Sequence, residues 1–168
     1  MSDTIQLPQP DEITRRERED AMGAYFMMFA AWGVGLPLPF LNLVAAFIYY
    51  GLHKKKSQFV AFHALQSLSS QIPVTVANGG LLFWLIRNLV ISTSAGGSVF
   101  STSFWTYLTF TAALNLGYLI TSLVALGRAY KGNFFYFPIF GRWAFDRWYG
   151  PNSPANAEPK TRPNLPPS

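Results

Sequence analysis

From Ala21 to Phe145 the chain contains no carboxylate, and that absence limits both its fold and its chemistry. Six of its eight acids (Asp3, Asp11, Glu12, Glu17, Glu19 and Asp20) fall in the first twenty residues; the other two are Asp146 and Glu158. Seven Lys or Arg remain inside the acid-free body. Soluble domains mix both signs of charge over their surface. A body this poor in charge, in a chain of 168 residues that is 50% hydrophobic, reads instead as a membrane protein whose polar tails lower the average. The same absence excludes a catalytic pair of carboxylates within the body, and the lack of cysteine excludes disulfides and thiolate metal sites.

The chain divides by composition. Residues 1–20 form a polar, acidic tail without the apolar core or cleavage site of a signal peptide. Residues 21–133 read as a helical membrane domain, and residues 134–149 as an aromatic–basic interfacial segment. Residues 150–168 carry six prolines and no aromatic ring, the composition of a disordered tail. Three stretches of the membrane domain are nearly free of charge: Ala21–Leu52, Gln58–Ile91 with only Arg87, and Phe104–Gly127. About 20 apolar residues cross a bilayer core, and a backbone without water must be helical there.

The first stretch is too long for one crossing, at ~48 Å if helical, and short as two halves of ~22–24 Å. Leu36-Pro37-Leu38-Pro39 favours a break, because proline removes a donor and disfavours helix in the residue before it. Basic residues cluster at Arg15/Arg16/Arg18, at Lys54/Lys55/Lys56 and at Arg128/Lys131/Arg142/Arg147. With all three clusters on the cytoplasmic side, the first stretch must be a hairpin; one broken span would put an end outside. The expected fold is therefore all-α and integral to the membrane, with four membrane helices and both termini cytoplasmic at a bacterial inner membrane. The first two helices form the short hairpin. The third, ~51 Å if fully helical, kinks at Pro73.

Two polar stripes run along the apolar helices. His63, Gln66, Ser67 and Ser70 mark one, and Thr111, Asn115, Tyr118 and Ser122 the other, each at i, i+3/i+4, i+7 spacing. They serve either as interhelical hydrogen-bonding glue or as the lining of a hydrated path. His63 is also the one candidate for an axial contact to haem or chlorophyll, although a lone histidine on a helix is more often a packing residue. No cofactor is otherwise expected, and two histidines without carboxylates fall short of a metal site. Arg87 is the charge left unplaced, near the end where positive charge is disfavoured.

From Phe134 to Tyr149 nine of sixteen residues are aromatic. Beside a membrane span, Phe134, Phe135, Tyr136, Phe137, Trp143 and Trp148 with Arg142 and Arg147 read as a lipid or partner contact at headgroup depth. No nucleic acid and no soluble small-molecule substrate is implied. Asn78-Gly79-Gly80 and Ala95-Gly96-Gly97 lack the Lys-Ser/Thr of a phosphate loop, and no serine stands in a nucleophile elbow. No residue pattern points to an enzyme.

The run Phe59-Val60-Ala61-Phe62-His63-Ala64-Leu65-Gln66-Ser67-Leu68 resembles the Phe-x-x-Phe-His-x-x-Gln-x-Leu signature of a family of small bacterial membrane proteins. That family is related to the twenty-kilodalton subunit of the chloroplast inner-envelope import translocon. Pro-Phe-Leu-Asn at 39–42, Ala129-Tyr130-Lys131-Gly132 and Phe137-Pro138 followed by Arg142 agree in order. The resemblance implies four helices, both termini cytoplasmic, and a translocon-like subunit working with other membrane proteins. The rival readings are an accessory subunit of a photosynthetic or respiratory complex using His63, and a small channel or transporter.

Overall fold

The computed structural model describes residues 7–30, 39–95, 100–151 and 153, and among these all regular structure is helical. Helix α1 (Arg15–Phe26) runs into a 3-10 turn (Met27–Phe29). It is followed by α2 (Pro39–His53), α3 (Gln58–Ala95), α4 (Thr102–Tyr130) and α5 (Phe140–Tyr149). The expected break at Leu36-Pro37-Leu38 and the Pro-rich tail beyond Ser153 lie outside the described residues.

Helix α1 starts inside the segment expected as an acidic tail, and a capping box explains why. Thr14 Oγ accepts from the Glu17 N–H at 3.3 Å, and the Glu17 carboxylate accepts from the Thr14 N–H at 2.9 Å. Two orphan donors of the first turn are satisfied reciprocally, which fixes the start. The opening Arg-Arg-Glu-Arg-Glu-Asp run is largely solvent-facing, with Arg15 and Glu19 paired at 2.8 Å, while Ala21, Ala24 and Tyr25 turn inward.

Among the described residues two helices, rather than four, are long and apolar enough to cross a membrane: α3 over Gln58–Ile91 and α4 over Thr102–Tyr130. The apolar run of α2, Phe40–His53, is shorter, and α1 spends its first six residues on charge. Pro73 lies within a continuous α3. It leaves the Ser69 carbonyl without its helical donor, and the helix runs on through it.

The packing is uneven along α3. From Phe59 to Ser67 every residue is buried, surrounded by α1, α2, α5 and the segment leading into α5. Beyond Ile72 the large apolar side chains turn outward: Ile72, Val76, Phe83, Ile86 and Val90 lie on the surface at helical spacing, Val76 at 69% exposure. Helix α4 repeats this with Trp105, Phe110, Leu116, Ile120 and Val124. Such faces suit lipid. Trp84, Phe100, Phe104 and Tyr107 form an aromatic cluster where α3 and α4 meet at their far ends.

The three basic clusters meet at the other end. Asp20 lies 3.8 Å from His53 Nε2 and 3.7 Å from Lys56 Nζ, which joins the start of α1 to the α2–α3 turn. Arg18 donates to the Ile13 and Pro10 carbonyls at 2.9 Å each and reaches the turn at Gly132 that closes α4. Tyr49 donates to the Asp20 carbonyl at 2.7 Å.

Candidate functional site: the polar seam of α3

The first polar stripe is one hydrogen-bonded chain. The Phe137 backbone N–H donates to Gln66 Oε1 at 3.0 Å, and this fixes which way the Gln66 amide points. Its Nε2 then donates to the Tyr25 hydroxyl at 2.7 Å, and that hydroxyl stands 2.9 Å from His63 Nδ1. In the arrangement that uses each proton once, Tyr25 donates to Nδ1 and the imidazole proton sits on Nε2. Ser67 extends the chain to α1 by donating to the Ala24 carbonyl at 2.8 Å. Helices α1 and α3 and the segment before α5 are thus held by one set of fully buried groups, which low surrounding polarity strengthens.

Aromatic rings enclose this chain. Phe59 and Phe62 meet the His63 ring edge-on at 4.5 and 4.9 Å between centroids, and Phe134 stacks on it at 6.2 Å. Phe62 also contacts Tyr136, Phe145 and Tyr149. Phe137, Trp148 and Tyr149 therefore turn inward as core, with half-buried Phe134 packed against them, where a lipid-facing belt was expected. Of the interfacial residues read from the sequence, Tyr136, Arg142, Trp143 and Arg147 are exposed, and Phe135 is half-buried. The pigment reading of His63 meets an objection of access. Nδ1 is engaged by the Tyr25 hydroxyl and the ring is enclosed by aromatic side chains, with Nε2 buried and without a hydrogen-bond partner, so a large pigment has no open approach to it.

The second stripe faces the middle of α3. Asn78 and Asn115 exchange two amide hydrogen bonds of 3.0 Å, and Asn115 also donates to the Thr111 carbonyl at 2.7 Å. Beside this pair lies a cavity of about 400 Å³, walled in part by Phe29, Asn42, Gln71, Asn78, Asn115 and Tyr118. Every polar group on its wall is uncharged. Gln71 Oε1 and the Tyr118 hydroxyl are buried without a hydrogen-bond partner, as is Ser122 Oγ. His63, Gln66 and Ser67 serve α1, while Ser70 and Gln71 approach Tyr118 on α4, and Gln71 Nε2 links the two sets by donating to Ser67 Oγ at 3.4 Å.

Arg87 is exposed and makes no ion pair among the described residues. Its neighbour Asn88 is buried, with Nδ2 unpartnered. Sequence reasoning missed Tyr25 as the centre of the hydrogen-bonded chain. The one hydroxyl in the first half of that stretch, residues 21–36, was the available signal. It also missed Gly141, where an added Cβ would meet Tyr136 Cα at 2.5 Å and Gln66 Oε1 at 2.8 Å. Only glycine lets α5 close over the Gln66 amide.

A family model described as magnetosome magnetite crystal formation proteins, MamF/MmsF, matches residues 19–144. No curated protein and no solved structure matches the chain. The resemblance to translocon-related proteins is corrected by this match, which takes in the whole Phe59–Leu68 segment that carried it. Those residues have a structural explanation of their own: Phe59, Phe62, His63 and Gln66 build the buried junction of α1, α3 and α5. The match lends no support to a photosynthetic or respiratory role.

Proposed function

The chain belongs to the magnetosome magnetite crystal formation family, and from that premise we propose that it is a non-enzymatic membrane protein of the magnetosome. Helices α3 and α4 cross the bilayer, and α1 and α2 form a hairpin that enters and leaves on the basic side. Both termini lie on that side, which the positive-inside rule makes cytoplasmic. The observation carrying this reading is the match over residues 19–144 on a chain whose two long helices show apolar residues outward.

The distribution of acids shapes the role. Hard iron and mineral surfaces favour oxygen ligands such as carboxylates, yet the chain offers none between Asp20 and Asp146. Its contribution to crystal formation then comes through the membrane and through packing rather than through iron ligation. The buried polar groups support the same view, because the chain from Phe137 to His63 is spent on joining helices.

Deleting the chain from its host and imaging the crystals tests the reading: altered crystal size or number is expected, and unchanged crystals would overturn it. Orientation has a separate test. A reporter active only outside the cytoplasm, fused after Asp20, should be silent; an active one refutes the hairpin topology.

A further inference from the structure

One face at the end of α2 joins two chemistries. Phe47, Tyr50, Gly51 and Lys54 recur at i, i+3, i+4 and i+7. The Lys54 N–H still bonds the Tyr50 carbonyl at 2.9 Å, so this face continues one step past His53. Its lower part is apolar and open. Phe47 is 66% exposed, and a Cβ added at Gly51 would meet nothing within 4 Å.

Its upper part gathers hydrogen-bond donors and positive charge around the Tyr50 hydroxyl. Lys54 Nζ stands over the Tyr50 ring, 5.6 Å from its centre. Arg147, in the last turn of α5, lies within electrostatic reach of the hydroxyl, and the Trp148 indole N–H approaches it. That N–H is buried and completes no hydrogen bond. An indole only donates, so the Tyr50 oxygen meets it as an acceptor, and the phenolic proton is left for a group outside the protein. Lys54 and Arg147 are both exposed, and among the described residues neither makes an ion pair. The acids of this end are engaged elsewhere: Asp20 with His53 and Lys56, Glu17 with Thr14, and Asp146 beside Tyr136. The last carbonyls of α2 oppose an anion with roughly half a charge, less than the two full charges of Lys54 and Arg147.

We propose that Lys54, Arg147 and the Tyr50 hydroxyl bind a phosphate-bearing anion, the headgroup of an anionic phospholipid whose acyl chain lies over Gly51 and along Phe47. The proposal rests on the reading above, which puts this end of the molecule among the headgroups. A phosphate diester accepts from all three groups and brings no donor that needs a partner. A zwitterionic headgroup would add its own ammonium to a cluster that is already cationic, so the site selects for net negative lipid.

The test uses the full chain reconstituted into vesicles of equal phosphatidylglycerol and phosphatidylcholine. Alkaline extraction reports insertion; the inserted protein is then taken up in mild detergent, and the lipid it retains is counted by native mass spectrometry. Phosphatidylglycerol should be retained in preference. K54Q and R147Q should each lower its retention on the order of fivefold and leave phosphatidylcholine unchanged. Both side chains are exposed, so neither change disturbs the core. K55Q removes the same charge one residue away and should retain lipid as the parent does; equal losses in K54Q and K55Q would overturn the site in favour of diffuse attraction. Inorganic phosphate that displaces phosphatidylglycerol at matched concentration would assign the site to free phosphate and overturn the lipid. Equal retention of both lipids by inserted protein would overturn the site and leave the spanning reading standing, whereas release of the protein by alkali would take down both.

Discussion

The Tyr25 hydroxyl lies 2.9 Å from His63 Nδ1 across the α1–α3 contact, and both residues are completely buried. Gln66 uses the same oxygen from below, at 2.7 Å. Tyr25→Phe therefore removes one atom and leaves two buried polar groups without a partner. The expected cost is ~1–3 kcal/mol, because an unmade buried hydrogen bond costs the desolvation already spent on its surviving partner. Thermal unfolding in mild detergent measures it. His63→Ala should be at least as damaging, since it also removes the ring packed between Phe59 and Phe62. Unchanged unfolding in Tyr25→Phe would show that the chain from Gln66 to His63 carries no weight.

Asn78 and Asn115 exchange two hydrogen bonds midway along the two long apolar helices, α3 and α4. Asn78→Leu strands Asn115 Oδ1, while Asn115 Nδ2 keeps its bond to the Thr111 carbonyl, and Asn115→Leu removes both of these bonds from Asn78. Each single change should cost ~0.6–2 kcal/mol, and the double change less than the sum, because removing both partners leaves nothing unpaired. A double-mutant cycle on detergent-solubilised protein reads the coupling directly. A coupling of zero would mean that the two amides are satisfied independently.

Much of this architecture was legible in the residues, and the parts that were not share a cause. The meeting of three basic clusters at one end follows from charge parity, and Asp20 beside His53 and Lys56 realises it. The spacing of His63, Gln66 and Ser67 announced a polar face, but its partner Tyr25 lies 38 residues away from His63 in sequence, beyond the reach of periodicity. The aromatic segment misled for a physical reason. Rings at 134–149 suit both a headgroup belt and a core, and the choice was made by Gly141, which lets α5 approach close enough for Phe134 and Trp148 to pack inward. The number of crossing helices was overcounted because apolar content was legible while depth was not.

Gly23 faces the Tyr49 hydroxyl so closely that an added Cβ would stand 2.5 Å from it. The contact sets the spacing between α1 and α2, and the same hydroxyl bonds the Asp20 carbonyl at 2.7 Å. Gly23→Ala must displace Tyr49 and lose that bond, at a cost of ~1–3 kcal/mol for overpacking. Combining it with Tyr49→Phe removes the clashing oxygen, so the pair should be less destabilised than the two changes summed. Strict additivity, measured by thermal unfolding, would show that the two residues do not meet.

Acid should loosen the start of α1 through Glu17. Burial raises its carboxyl, but hydrogen bonds from Ser57, the Thr14 side chain and the Thr14 backbone outweigh burial and hold it below its ordinary value. A carboxyl depressed in the folded state binds its proton more readily when unfolded, so its stabilisation is present above the ordinary glutamate range. It is lost as pH falls through the depressed folded value. Glu17→Gln removes that contribution at every pH. The variant should therefore be less stable than the parent at neutral pH, and the two should converge below the glutamate range. Because Ser57 sits at the start of α3, amide exchange should report the loss at both ends of the contact, in the first turn of α1 and around Ser57. A gap between parent and variant that is independent of pH would show that Glu17 acts through shape and not through charge.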